Sequence, residues 1–276
     1  VKRSITMGDL LYRAEKVIRN EIDVTQNQLE RNHIEMFNAR ASFHRPHSLS
    51  LDLSGNRGRR EISAEAIIVS VGTQAPWTDT VKFDGQMIFN SDDILGLKRL
   101  PSSIAIIGAG VIGCEYASIF ATLGVRVTLI DKRKRLLPFI DCELVDTLVH
   151  HMRQNRLTLR LGEEVANVET YQHRTGERVC INLESGKRIN TEKALYAAGR
   201  MGNTEGLNLE AAGLGVDARG MMEVNEDYQT KVPHIYAVGD VAGFPSLAST
   251  GMKQGHHAAA HAFGEAVKSF PRFSPY

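Results

Sequence analysis

Apolar positions along the chain change period several times, and each change marks an element. Between residues 6 and 31, Leu10, Ala14, Val17, Ile18 and Ile22 recur at helical spacing, and Glu, Arg and Lys fill the other face. Thr6 followed by Asp9 supplies a capping-box start for that helix. From Ile34 the pattern shortens to segments at 34–43, 48–53 and 59–63, split by His44-Arg-Pro-His47 and Ser54-Gly-Asn-Arg-Gly58. These predict small antiparallel strands. The run Ala66-Ile-Ile-Val-Ser-Val71 predicts a buried strand that stops at Gly72, with Pro76 blocking its extension.

A new pattern starts after Arg99-Leu100-Pro101. Ser103 to Ile107 reads as a strand, 111–123 as a helix, 125–130 as a strand and 141–154 as a helix. This βαβα run is the mark of a parallel sheet. Short strands follow near 157–161, 164–170, 178–183 and 193–197, the middle ones turning at Arg174-Thr-Gly176 and Glu184-Ser-Gly-Lys187. A last stretch holds the strand Ile235-Tyr-Ala-Val238, the pair Gly239-Asp240 and a helix from about Ser246 to Ala266. Residues 267–276, with Pro271 and Pro275, read as a linker.

Composition narrows the class. The 276 residues are 42% hydrophobic and 24% charged, so the chain is neither disordered nor fibrous, and it is long enough for one large or two ordinary domains. A net charge of +1 offers no electrostatic argument for a nucleic-acid partner. No uncharged stretch reaches the ~18 residues of a membrane span. Three widely spaced cysteines, Cys114, Cys142 and Cys180, indicate neither a disulfide scaffold nor a CxxC metal site. The start, Val1-Lys2-Arg3-Ser4, has no apolar signal region and suggests a piece of something longer.

Candidate chemistry concentrates at Gly108-Ala-Gly110-Val111-Ile112-Gly113. A GxGxxG string is informative only where it leaves a strand and opens a helix, and it does so here. Gly108 permits the tight turn, Gly110 lets a pyrophosphate approach the backbone, and Gly113 lets the helix pack close to the sheet. The free N–H groups and the positive dipole end of the first helical turn then face the phosphates. About 20 residues further on an acid should meet the adenosine ribose, and Asp131 ends the second strand there. That favours NAD. Lys132-Arg133-Lys134-Arg135 follows at once, and Arg133 or Arg135 can pair with a 2′-phosphate, which favours NADP as well. A solvated basic loop is the plain alternative.

Gly239-Asp240 is the second candidate. A carboxylate at the end of a strand can hold a chain of sugar-like hydroxyls, and the helix that begins near Ser246 offers a positive N-terminus to a reduced, anionic flavin ring. The alternative is an ordinary turn, with Ser246 as cap and Leu247 and Ala248 in the core. Cys114 reads as a small packing residue rather than an activated thiol. His257 and His261, at i,i+4, lack an acidic third ligand nearby in sequence and carry no metal expectation.

Taken with Val71-Gly72-Thr73, Gly108 to Glu115, Gly199-Arg200 and Ala237-Val-Gly-Asp240, the chain resembles the two-dinucleotide flavoprotein disulfide reductase superfamily. Within it, Gly108-Ala-Gly-Val-Ile-Gly-Cys-Glu-Tyr-Ala-Ser-Ile-Phe120, Gly199-Arg-Met-Gly-Asn-Thr204 and Gly243-Phe-Pro-Ser-Leu-Ala-Ser249 are most similar to the soluble, Si-specific pyridine nucleotide transhydrogenases. The resemblance implies a cytoplasmic flavoenzyme, homo-oligomeric when full length, that passes hydride between NADPH and NAD through FAD. It implies an α/β fold in which a Rossmann-like NAD(P) domain (100–225) is inserted between a partial FAD domain (1–99) and its returning segment (226–266). The implied contacts place Gly108, Gly110, Val111, Ile112 and Gly113 at the pyrophosphate, Glu115 at the nicotinamide carboxamide, and Asp131 and Arg133 at the adenosine ribose. Gly199 and Arg200 belong to the same set. Gly239 and Asp240 fall on the ribityl-pyrophosphate region of FAD, with Leu247 and Ala248 beside the flavin.

Two departures stand out. No second GxGxxG precedes the first, and the chain stops where the superfamily's interface domain begins. By resemblance the chain is therefore the middle of a longer subunit, with poor FAD affinity by itself. A dihydrolipoamide dehydrogenase-like disulfide reductase and a non-catalytic dinucleotide-binding remnant remain as alternatives.

Overall fold

In the computed structural model, residues 6–265 are described, apart from 56, 77, 79 and 175. In chain order the elements are α1 (Met7–Arg31), β1 (Ala39–Arg45), β2 (Ser48–Leu53), β3 (Arg59–Ser63), β4 (Ile67–Val69), β5 (Thr73–Gln74) and β6 (Ile88–Asn90). There follow β7 (Ser103–Ile107), α2 (Val111–Thr122), β8 (Arg126–Asp131), α3 (Cys142–Gln154), β9 (Thr158–Leu161), β10 (Val165–His173), β11 (Gly176–Leu183), β12 (Arg188–Thr191) and β13 (Lys193–Tyr196). The chain closes with β14 (Met201–Gly202), β15 (Ile235–Ala237) and α4 (Ala248–Ala262).

The described chain divides into two compact units, one of the residues up to Gln28 with Ala75–Gly199, the other of Leu29–Gln74 with the residues from Arg200 onward. The boundaries expected from sequence lie instead at 99, 225 and 266. The stretch 75–99 sits in the first unit because β6 pairs in parallel with β13. A three-residue strand carries no periodicity of its own, so this partnership was not visible in the sequence.

The first unit is built on a parallel sheet of order β6-β13-β7-β8-β9. Its central strand β7 is buried on both faces, as parallel strands generally are, whereas the edge strand β9 is only partly covered. Ile104 and Ile106 point to one side, against Cys114, Ala117 and Phe120 of α2 and Val145 and Met152 of α3. Ala105 and Ile107 point to the other, against Val168, Val179 and Ile181 of a three-stranded antiparallel sheet, β10-β11-β12. The fold is thus α/β with a parallel sheet, as expected. The chain enters β7 over a buried carboxylate that sequence reading missed. Glu192 accepts from the Ser102 N–H and hydroxyl and pairs with Arg99 and Arg178.

The capping box of α1 is present: the Asp9 N–H donates to Thr6 Oγ1 and the Thr6 N–H to Asp9 Oδ2. Its apolar face is used only in part. Met7, Leu10 and Leu11 join the core, but Val17, Ile18 and Ile22 are exposed.

In the second unit β1, β2 and β3 form the expected antiparallel sheet, though β1 starts at Ala39 rather than at 34. β4 pairs in parallel with β15, and β5 pairs antiparallel with β14. β4 is shorter than expected and only alternately buried: Ile67 and Val69 face the core with Ile235 and Ala237, while Ile68 is exposed. α4 begins at Ala248, two residues later than expected, and ends at Ala262. The linker expected at 267–276 lies outside the described residues.

Candidate functional site

The strand-to-helix corner between β7 and α2 is held by glycines for three separable reasons. Gly108 has φ +106°, and a Cβ there would lie 2.6 Å from the Ala197 carbonyl oxygen, so backbone from β13's end excludes any side chain. At Gly113 a Cβ would fall 1.8 Å from the Gly108 carbonyl oxygen, so α2 can approach the turn only without one. Gly110 differs. Its φ is −80° and a Cβ would meet nothing within 4 Å. The space beside it is open.

Gly110 is also the N-cap of α2, and no side chain caps that end. The same holds for α4, whose N-cap is Leu247 rather than Ser246. By contrast Asp141 caps α3 by accepting from the Glu143 N–H, and Thr6 caps α1. The two helices assigned from sequence to dinucleotides are therefore those that present uncapped N–H groups.

A cleft of about 640 Å³ opens at the carboxyl end of the parallel sheet. It is lined by Gly108, Gly110, Asp131, Arg133 and Gly199 of the expected set, together with Lys132, Glu163, Glu164 and Tyr196. Ligands of open α/β sheets bind outside the carboxyl ends of the strands. Val111 and Glu115 are exposed and Ile112 is half-buried on the first turns of α2. Glu163 and Glu164 escaped sequence reasoning; their only signal was their place between two predicted strands and at the start of the second.

Asp131 and Arg133 meet each other in this structure. Asp131 is nearly buried, and its carboxylate accepts from the Ala109 N–H at 2.6 Å, the Arg133 N–H at 2.8 Å, and Arg133 Nε and Nη2 at 2.9 and 2.7 Å. Burial alone would push the Asp131 carboxyl up; the hydrogen bonds from Arg133 and Ala109 outweigh it and hold the group below the usual carboxylate range. The fork-on-fork pair is charge-assisted and partly shielded from water. Lys132 Nζ lies 3.7 Å from Glu164, and Arg135 lies 3.9 Å from Asp146.

Cys114 is buried in α2's first turn. Its thiol faces the Ala109 carbonyl oxygen at 3.6 Å, and burial, with Asp131 nearby, pushes it up to about 11. It is a packing residue, as the sequence suggested.

In the second unit Asp240 is half-buried and receives the Thr73 hydroxyl at 3.4 Å. Arg200 does not point to open space: its Nε donates to Thr73 Oγ1 at 3.0 Å and its Nη2 to the Thr73 carbonyl oxygen. On the other side Gln254, buried on α4, accepts from the Gly239 N–H at 2.7 Å. Leu247 is half-buried and Ala248 exposed, so neither is a core residue. The Gly239-Asp240 turn is therefore braced from two directions, while the Asp240 carboxylate keeps acceptor capacity and the start of α4 stays uncapped. These features suit a ligand with a chain of hydroxyls, which can donate to the carboxylate, and an anionic group, which can accept from the helix N–H groups. Further along α4, Asp227 pairs with His257 at 2.8 Å and lies 3.5 Å from His261, whose other ring nitrogen meets the Tyr236 hydroxyl. Among the described residues no group of three His, Cys, Asp or Glu side chains is arranged to hold a metal ion.

A parallel sheet with a glycine corner and an acid at the next strand end defines a dinucleotide-binding α/β protein. A profile of pyridine nucleotide-disulphide oxidoreductases matches residues 5–262, and the chain belongs to that family. It is 45% identical over 275 residues to the soluble pyridine nucleotide transhydrogenase of Mycobacterium bovis (strain BCG / Pasteur 1173P2), covering 100% of this chain and 58% of that protein. It is 42% identical over 257 residues to the soluble pyridine nucleotide transhydrogenase of Colwellia psychrerythraea, covering 93% of this chain and 54% of the relative. The chain thus spans little more than half the length of these relatives. Among solved structures it resembles LpdA from Mycobacterium tuberculosis, with a TM-score of 0.88 at 25% identity over 98% of this chain and 59% of that one. It also resembles a mutant of the HOCl-induced flavoprotein disulfide reductase RclA of Escherichia coli, solved as a Cu(II) complex, with a TM-score of 0.83 at 26% identity over 92% of this chain and 57% of that one.

Proposed function

We propose that the chain is the nicotinamide-binding part, with a portion of the flavin-binding part, of an FAD-dependent oxidoreductase that transfers hydride between NADPH and NAD. The observation that carries this reading is the open, uncapped corner at Gly110, which faces the same cleft as Asp131 and Arg133. Identity of 42–45% to two named transhydrogenases supports the particular reaction.

In this reading the N–H groups at the start of α2 take the pyrophosphate, Gly110 keeps side chains out of its way, and Gly113 lets α2 close on the turn that presents those groups. Val111 and Ile112 carry those donors, and Glu115 lies one turn further on for the carboxamide. Asp131 and Arg133 meet the adenosine ribose, and Gly199 borders the cleft. In the other unit Gly239, Asp240, Leu247 and Ala248 are the FAD contacts, and Arg200 acts on that site through Thr73. FAD held there would supply the redox chemistry of hydride exchange between nicotinamides. The chain's own contribution is to bind, to orient and to exclude water. No side chain of it needs to act as nucleophile.

We assign FAD binding to 1–99 and 226–266 and NAD(P) binding to 100–225, functional limits that differ from those of the compact units, which change over after Gln74 and Gly199. The full-length protein is assigned to the cytoplasm as a homo-oligomer. Among the described residues no helix is long and apolar enough to cross a membrane.

The test is direct. Titration of the chain with NADH and NADPH, followed by dihydronicotinamide fluorescence, should show saturable binding of both. The protein that carries this chain, supplied with FAD, should oxidise NADPH with thio-NAD as acceptor. Binding of neither cofactor contradicts the proposal. Turnover with a disulfide substrate such as lipoamide but not with thio-NAD selects the disulfide-reductase reading, which the structural likeness to RclA favours.

A further inference from the structure

We propose that Glu164 sets the NAD-against-NADP preference of the cleft, because its carboxylate occupies Lys132, a cation that a 2′-phosphate would otherwise use. The inference rests on the reading of the cleft as the nicotinamide dinucleotide site.

The turn between β9 and β10 is fastened to the loop after β8 by backbone. The Gly162 N–H donates to the Arg133 carbonyl oxygen at 3.0 Å, and the Glu163 N–H to the Asp131 carbonyl oxygen at 3.1 Å. Position 164 is therefore held beside 131–133 whatever its side chain. Each cation of this wall already has an anionic partner: Arg133 has Asp131, and Lys132 has Glu164.

The three carboxylates of the wall are not equivalent. Asp131 is nearly buried and bonded to the glycine turn through Ala109. Glu163 is mostly covered and takes the Ser185 hydroxyl and Lys187. Glu164 alone is exposed, with 60% of its side chain accessible, and its partner lies at 3.7 Å, beyond a hydrogen bond. Removing its charge thus costs the fold little. A ribose with free hydroxyls is neutral and indifferent to that charge. A 2′-phosphate brings about two negative charges, is repelled by Glu164, and competes with it for Lys132.

Dissociation constants for NADH and NADPH are to be measured with the wild-type chain and with the Glu164→Gln, Lys132→Gln and doubly substituted forms. Adenosine 2′,5′-bisphosphate and AMP serve as shorter probes of the same end. Glu164→Gln should tighten NADPH about three- to tenfold and leave NADH within about twofold. The gain should shrink in high salt, because an exposed charge is screened there. Measured against Lys132→Gln, it should be smaller in the double variant, where relief of the repulsion remains but the freed cation is gone. NADPH affinity unmoved by Glu164→Gln, an equal change for both cofactors, or a gain of undiminished size without Lys132 would each overturn the assignment. A wild-type chain that binds neither cofactor overturns the reading of the cleft itself, and differs visibly from one that binds NADH but ignores Glu164.

Discussion

The Asp131 carboxylate accepts a hydrogen bond from the Ala109 amide at 2.6 Å, so the end of β8 is stitched to the middle of the glycine turn that leaves β7. The same carboxylate holds Arg133 in a two-point pair. An acid at this place therefore has a structural duty before any ribose arrives. A cofactor that recruits Asp131 or Arg133 must do so against that pair.

Asp131→Asn should destabilise the first unit by about 1–3 kcal/mol, through loss of a shielded charge pair whose partner is half exposed. The effect has a pH signature. A carboxyl held below its unfolded value contributes stability that is fully present above about pH 4 and is lost as pH falls through the lower folded value. Urea melts of wild type and variant should therefore differ at pH 7 and converge on acidification. A gap that widens in acid would contradict the pairing.

Gly110 and Gly113 should separate binding from folding. Gly110→Val meets open space at its Cβ and needs no unusual φ, so its melting temperature should stay near wild type while NADH affinity falls at least about tenfold. Gly113→Ala drives a methyl into the Gly108 carbonyl and should cost about 1–3 kcal/mol or more. Equal loss of stability in both, or NADH affinity untouched by valine at 110, would remove the pyrophosphate assignment.

The cysteines should differ in reactivity toward a disulfide reagent at pH 8. Cys142 is exposed and should react fast. Cys114, pushed up to about 11, and Cys180, raised by burial, should react only on unfolding. Rapid labelling of Cys114 in the native chain would show that its environment is more open than described.

Gln254→Leu strips the acceptor from the Gly239 N–H and should cost about 1–2 kcal/mol, with faster hydrogen exchange at that amide. Gln254→Glu keeps an acceptor and should preserve the protection. Identical exchange in both variants would mean that the bond does not hold the turn.

The corner was legible in sequence because its constraints are local. An apolar run, three glycines at fixed offsets and an acid at the next strand end need no knowledge of the rest of the chain. β7, α2, β8 and α3 emerge within a residue or two for the same reason. Other features depend on partners far away in sequence. β6 and β12 are too short to show a period, and nothing near Glu192 announces Ser102, Arg99 and Arg178. A carboxylate such as Asp131 advertises its acceptors but not which donors it will use, so its bond to Ala109 and its pair with Arg133 waited for the structure. The exposed face of α1 illustrates the converse: an amphipathic pattern predicts a helix but not what covers it. Asp227, which joins His257 and His261, was invisible to a search for ligands at close spacing.

The most direct trial of the account is a crystal structure of the chain grown with NADH. Density for the diphosphate should lie over the amides that open α2, beside Gly110, with the adenosine end running toward Asp131. A cofactor found elsewhere, or a corner filled by protein side chains at saturating NADH, would contradict the assignment on which the proposed reaction stands.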